Sequence, residues 1–179
     1  NPTEVQKLVA EVLDVSMNKI VVDMRRMGGG FGGKETQAAS PACLCAVVAR
    51  LTGQPTKMRL PRVEDMLMTG KRHPFYIEYD VGFDASGRLQ GIVLDLAGNC
   101  GCSPDLSNSI VDRAMFHADN AYYLGDATIN GYRCKTNTAS NTAYRGFGGP
   151  QGMVAIEEVM DRIARHLGLD PLAVRKANY

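Results

Sequence analysis

The chain has 179 residues and a mass of 19.4 kDa, with 45% hydrophobic and 22% charged residues. This composition supports a folded core and excludes intrinsic disorder. Twenty basic residues against 19 acidic ones leave a net charge of +1, too little for a whole-molecule field that would draw in nucleic acid or an anionic membrane. No apolar run approaches the roughly 18 residues of a membrane span, and no basic-then-apolar leader opens the chain.

Residues 3–13 place Val5, Leu8, Val9, Val12 and Leu13 on one helical face, with Thr3 as the predicted N-cap. Residues 19–25 read as a strand, and Gly28 to Gly33 as a glycine loop. A helix is predicted over 35–51, closed by Gly53, with Pro41 making its first turns irregular or marking its start. Residues 56–60 read as a short strand ending at Pro61, and residues 62–68 as a helical turn. Alternation from Phe75 to Phe83, the turn D-A-S-G and renewed alternation from Arg88 to Leu96 predict a β-hairpin. A helix or loop–helix over 105–118 and a strand over 127–134 come next. An amphipathic helix over 151–167 closes at Gly168, and Asp170-Pro171 opens a final helix. Strands come both as a hairpin and singly between helices. The expected class is therefore α+β: a mixed or antiparallel sheet with flanking helices, in one domain over 1–179.

Nineteen glycines are an excess, about 11% of the chain against an average of about 7%. They concentrate in M-G-G-G-F-G-G-K-E-T (27–36) and R-G-F-G-G-P (145–150). The first cluster formally satisfies G-x-G-x-x-G and nearly satisfies the phosphate-loop pattern. That second pattern needs a hydroxyl at position 35 to hold magnesium, where this chain has Glu35. The dinucleotide reading lacks its acidic residue about 20 positions on, where the chain reads A-R-L-T-G-Q-P. A third reading keeps the physics and changes the ligand. Successive glycines bring backbone N–H groups close to a bound group, expose Phe31, and leave Glu35 to hydrogen-bond a polar heterocycle. The alternative is a tight strand-to-helix turn with Phe31 plugging the core. In the second cluster Phe147, flanked by glycines, is free to lie flat on a planar ligand, or it anchors the loop. Arg113, next to Asp112, reads by itself as a solvated or paired surface arginine.

Cys43 and Cys45 lie in an apolar run and behave as small hydrophobes. Cys100, Cys102 and Cys134 are expected to be reduced, packed thiols in a cytoplasmic protein. His73, His117 and His166 lack metal-ligand spacing, and no recognisable nucleophile motif is present. Glu64, Asp65, Glu157, Glu158 and Asp161 read as helix surface. Both ends look cut, so the chain is expected to be a fragment of a longer protein.

Four segments together carry a resemblance: R-M-G-G-G-F-G-G-K-E-T, E-D-M-L-M-T-G-K-R-H-P-F, D-L-S-N-S-I-V-D-R-A-M-F-H-A-D-N and C-K-T-N-T-A-S-N-T-A-Y-R-G-F-G-G-P-Q. In this order they resemble the molybdenum-cofactor-binding region of xanthine dehydrogenases, in the xanthine oxidase family of molybdenum hydroxylases. The likeness runs from about Val21 to Tyr179. It implies a fragment of a molybdopterin-binding domain, with Gly30, Phe31 and Arg145 as cofactor surroundings near the molybdenum. Glu35, Arg113 and Phe147 would bind the purine: Glu35 orienting the ring, Arg113 stabilising negative charge as it develops, and Phe147 supplying planar contact.

The resemblance also implies a purine-oxidising parent, converting hypoxanthine or xanthine to urate through a molybdenum-molybdopterin cofactor. Electrons would leave by 2Fe-2S and FAD centres, in other domains or a separate subunit, to NAD or another acceptor. The family's general-base glutamate and a glutamine near the molybdenum fall outside these 179 residues. The chain is therefore expected to depend on the remainder of the molybdopterin domain and to be inactive alone. The Glu/Arg pair favours purines over aldehydes. An aldehyde- or other N-heterocycle-oxidising relative and a non-catalytic nucleotide-binding module are the rival readings.

Overall fold

The computed structural model describes residues 1–179, which form two compact units. The first comprises residues 1–71 and 142–145, the second residues 72–141 and 146–179.

The first unit opens with α1 (Pro2–Leu13), which packs on α2 (Ala39–Thr52). Pro2 occupies the first turn, where its missing N–H costs nothing, so the N-cap falls at Asn1 instead of Thr3. Val5, Val9 and Ala10 are buried, but Val12 of the predicted apolar face is 52% exposed. The expected strand at 19–25 is absent. A 3-10 turn at Met17–Lys19 gives way to extended chain without a ladder partner, and Val21 is almost fully exposed. The expected strand at 56–60 is likewise unpaired. A strand is defined by its neighbour, and neither segment has one here. α2 starts at Ala39, not at 35, so Pro41 falls in its first turn, where proline is tolerated. It ends at Gly53, whose left-handed φ of 66° lets its N–H reach Ala49 O. α3 (Arg62–Met68) follows Pro61.

The second unit is built on a three-stranded sheet in the order β1-β2-β3. β1 (Phe75–Phe83) and β2 (Leu89–Gly101) form the predicted hairpin, with Phe75 opposite Gly98 and Gly82 opposite Gly91. Asp84 Oδ1 organises the turn, accepting from the N–H groups of Ser86 and Arg88 and from the Ser86 hydroxyl. α4 (Ser107–Phe116) then crosses over, and β3 (Asp126–Lys135) returns parallel to β2. The sheet is therefore mixed, and the class is the expected α+β.

α5 (Gly149–Leu167) lays Ile156, Val159, Met160 and Ile163 into the core against Leu94 and Leu96 of β2. α6 (Pro171–Ala177) closes the unit, with Asp170 as a true N-cap accepting from Leu172 N at 3.1 Å. Glu157, predicted as surface, is drawn inward. Its carboxylate accepts from Tyr122 Oη at 2.6 Å, Asn120 Nδ2 at 2.9 Å and Arg175 Nε at 2.9 Å. The five cysteines are free thiols; Cys100 is buried, whereas Cys102 and Cys134, expected to be packed, are exposed.

Candidate functional site

Gly30, Phe31, Glu35 and Arg145 belong to the first unit. The loop that carries Phe31 is held by two bonds at its carbonyls. Arg145 N donates to Phe31 O at 3.0 Å, and Lys34 Nζ donates to Gly29 O at 2.5 Å. None of the backbone N–H groups from Gly28 to Lys34 donates to a protein acceptor. Backbone donors are normally satisfied wherever water is excluded, so this run is a set of donors turned outward. Phe31 itself is left-handed, with φ 58°, and 67% exposed, which removes the core-plug alternative. The Arg145 guanidinium lies 5.9 Å from the centre of its ring, within cation–π range.

Gly32 makes this geometry possible. A Cβ there would fall 2.6 Å from Tyr144 Cα and closer still to Ala143 O. The first glycine loop thus meets the Ala143–Tyr144 backbone directly, an approach only glycine permits. Gly32 and Lys34 are contributors that sequence reading missed; the run of glycines was the signal for the first, and nothing local marked the second. Glu35, just after the loop, is half-buried. Its Oε2 is a carboxylate oxygen buried with no hydrogen-bond partner. A buried acceptor left unpaired costs roughly 1–3 kcal/mol, more for a charged group, so such an atom calls for a donor from beyond this chain.

Arg113 and Phe147 belong to the second unit. Arg113 lies on α4, exposed, in a wide-open surface cavity of about 510 Å³ lined also by Ser109, Asp112, Phe116 and His117. Of the two expectations for Arg113, solvated or paired, the structure shows the first: it is exposed and carries no ion pair. Asp112, its neighbour in sequence, is taken by Arg133 from β3, leaving Arg113 without an ion pair. Phe147 is left-handed at φ 51° and half-buried. The chain beyond it presses on α4: a Cβ at Gly148 would collide with Ile110 O and lie 3.2 Å from Ala114 N, and one at Gly152 would collide with Ala114 O. These contacts bring the backbone just after Phe147 against the Ile110–Ala114 turn of α4, while the aromatic ring that lines the Arg113 cavity is that of Phe116. His117 closes the same surface, its ring edge 3.3 Å from the Cβ position of Gly149.

Within each unit the arrangement offers a distinct capability. The first presents outward amides, an exposed benzyl ring and an unpaired carboxylate oxygen. The second presents an unpaired guanidinium in a cavity with an aromatic side chain beside it. Each set is of a kind that polar ligands use: donors and an acceptor in the first unit, a cation and an aromatic ring in the second.

Residues 1–179 match the family model described as the molybdopterin cofactor-binding domain. The chain is 47% identical over 179 residues to the xanthine dehydrogenase of Calliphora vicina, covering 100% of this chain and 13% of that protein. Among solved structures, quinoline 2-oxidoreductase from Pseudomonas putida 86 superposes over 99% of this chain and 23% of that one, with a TM-score of 0.82 and 27% identity. The aldehyde oxidoreductase of Desulfovibrio gigas superposes over 97% of this chain and 19% of that one, with a TM-score of 0.79 and 28% identity. The chain spans about 13% of the length of the xanthine dehydrogenases it matches.

Proposed function

Since the chain belongs to the molybdopterin cofactor-binding domain family, we propose that it is the purine-recognising portion of a molybdenum hydroxylase that oxidises hypoxanthine and xanthine to urate. The observation that carries this reading is Glu35 Oε2, a buried carboxylate oxygen with no partner within this chain. It accepts a hydrogen bond from the N–H edge of the heterocycle and fixes which ring carbon faces the reacting centre. Arg113, free of any acid, offsets the negative charge that collects on the purine as its carbon is attacked. Phe147 lies flat against the ring.

The residues around Phe31 fit the family's cofactor. The unsatisfied amides of the first glycine loop, with the Arg145 guanidinium at its edge, suit a large anionic group. Gly30, Phe31 and Arg145 would hold molybdenum-molybdopterin, which supplies the hydroxylating and electron-accepting chemistry when bound. These residues position and shield it; they transfer no proton themselves. The general base and the 2Fe-2S and FAD centres, which pass electrons on to an external acceptor, lie outside these 179 residues.

That remainder also has a place to pack. α2 is apolar on all sides yet buries only Ala39, and Leu44, Leu51, Val63 and Leu67 of α2 and α3 are exposed. No helix is long and apolar enough to cross a membrane. The five free thiols support a reducing compartment, the cytoplasm.

The likeness to a quinoline 2-oxidoreductase and an aldehyde oxidoreductase keeps a second reading in play, with another heterocycle or an aldehyde as substrate. Replacing Glu35 by Gln and Arg113 by Met separately in the full-length parent decides between them, with xanthine and an aromatic aldehyde assayed side by side. The purine reading expects each change to lower kcat/KM for xanthine by about 100-fold or more, roughly 3 kcal/mol of transition-state stabilisation. It expects aldehyde turnover to be kept or raised. Undiminished xanthine turnover in both variants would refute it.

A further inference from the structure

Arg113 is the charge on which purine recognition was argued above, and its neighbour in the α4 cavity is an acid. Asp112 lines the same space, and its side chain is 65% exposed. An unbalanced carboxylate at that position would work against Arg113, because it would repel the charge that Arg113 is there to stabilise. The structure supplies a counterweight from another element. Arg133, on β3, donates through Nη2 to Asp112 Oδ1. It is braced by two backbone carbonyls, Nη1 to Gly131 O at 2.8 Å and Nη2 to Asn108 O at 3.5 Å. Arg133 is only 32% exposed, so its guanidinium is held against the helix and not left to wander in solvent.

A surface ion pair adds little to stability, so fold stability is a weak reason for this arrangement. What it changes is the potential of the cavity. We propose that Arg133 is a positioning residue for purine binding: by neutralising Asp112 it leaves the Arg113 guanidinium to set the charge of the α4 cavity. The inference rests on Arg113 being a substrate-binding residue and adds a specificity-determining partner from outside the cavity lining.

The consequence is electrostatic and therefore repairable. In the full-length parent enzyme, Arg133→Met exposes the Asp112 charge and is expected to lower kcat/KM for xanthine about five-fold at low salt. The deficit shrinks as ionic strength rises, because the two groups face solvent. Combining it with Asp112→Asn removes the unbalanced charge and restores kcat/KM to within about two-fold of the wild type. A merely structural Arg133, serving only Gly131 O and Asn108 O, predicts a loss that Asp112→Asn does not repair; that result overturns the inference, as does Arg133→Met with unchanged xanthine kinetics. Arg113→Met, measured alongside, separates the two levels: if it too leaves xanthine turnover intact, the reading of the site falls, and this inference with it.

Discussion

Gly32 shows how much one hydrogen atom in place of a methyl group decides. Its φ of 90° is disfavoured for any other residue, and the Ala143–Tyr144 backbone occupies the space a side chain would need. Strain and overpacking act together here, each worth roughly 1–3 kcal/mol. Gly32→Ala is expected to lower the thermal midpoint of the full-length protein and its molybdenum content together. Gly28→Ala, at an ordinary φ with nothing within 4 Å, is expected to change neither. Equal behaviour of the two variants in melting and metal analysis would count against the backbone contact as the organiser of this loop. Glu35 and Arg113 teach a related lesson. Glu35 has a buried oxygen without a partner in the chain and Arg113 has no ion pair; the reading of both as ligand contacts proposed above rests on that and not on residue type alone.

The fastening of α6 onto α5 turns on the carboxylate of Glu157, and it makes a pH-dependent contribution at both ends of the scale. Burial alone would raise the Glu157 pKa, but hydrogen bonds from Tyr122, Arg175 and Asn120 outweigh it and hold the group below its ordinary value of 4.5. A depressed acid stabilises the fold above its unfolded pKa, and that stability is lost as pH falls through the folded value. Tyr122 is displaced the other way: burial, followed by the hydrogen bond to Glu157, pushes it up to about 12. Its contribution is complete below the ordinary value of 10 and disappears as pH rises toward 12. Thermal melts of wild type and Glu157→Gln between about pH 5 and about pH 3 are expected to show a flatter acid limb in the variant. Parallel curves would mean that the network holds no net stability. The element carrying Arg113 depends on packing of another kind. Gly148 and Gly152 let the start of α5 press directly on the α4 backbone, while Val111 and Met115 of α4 pack into the sheet over Gly98 and Gly131, so the helix bearing the guanidinium is fixed on both sides.

At the scale of the whole chain, the two units differ in how completely they bury themselves. The sheet, α4 and α5 enclose Leu94, Leu96, Ile156, Val159 and Met160 with almost no exposure. The first unit leaves Leu51 81%, Val63 71% and Leu67 71% exposed. Apolar side chains exposed on α2 and α3 are surface available for contact with other protein, and the chain spans 13% of the proteins it matches. The 179-residue chain on its own is therefore expected to bind an apolar dye and self-associate. The double change Leu51→Lys, Leu67→Lys should reduce both effects by several-fold. The same change made in the full-length protein is expected to destabilise it, which tests whether these positions are covered there. Dye binding that persists unchanged in the doubly charged chain would place the sticky surface elsewhere.

Spacing along the chain was enough to locate α1, α3, the β1–β2 hairpin, α5 and α6, because turns, caps and periods of 2 and 3.6 are properties of neighbouring residues. The four motifs led to the family for the same reason: each is a local string that survives without its surroundings. Pairing is different. Residues 19–25 and 56–60 have strand-like composition, but a strand needs a second strand, and none lies beside them in these 179 residues. The parallel return of β3, the exposure of Phe31 and the capture of Asp112 by a β3 arginine are long-range facts of the same kind. A residue's sequence neighbours set its backbone preference. Which distant group meets its charge, or fails to, is settled only when the chain closes on itself.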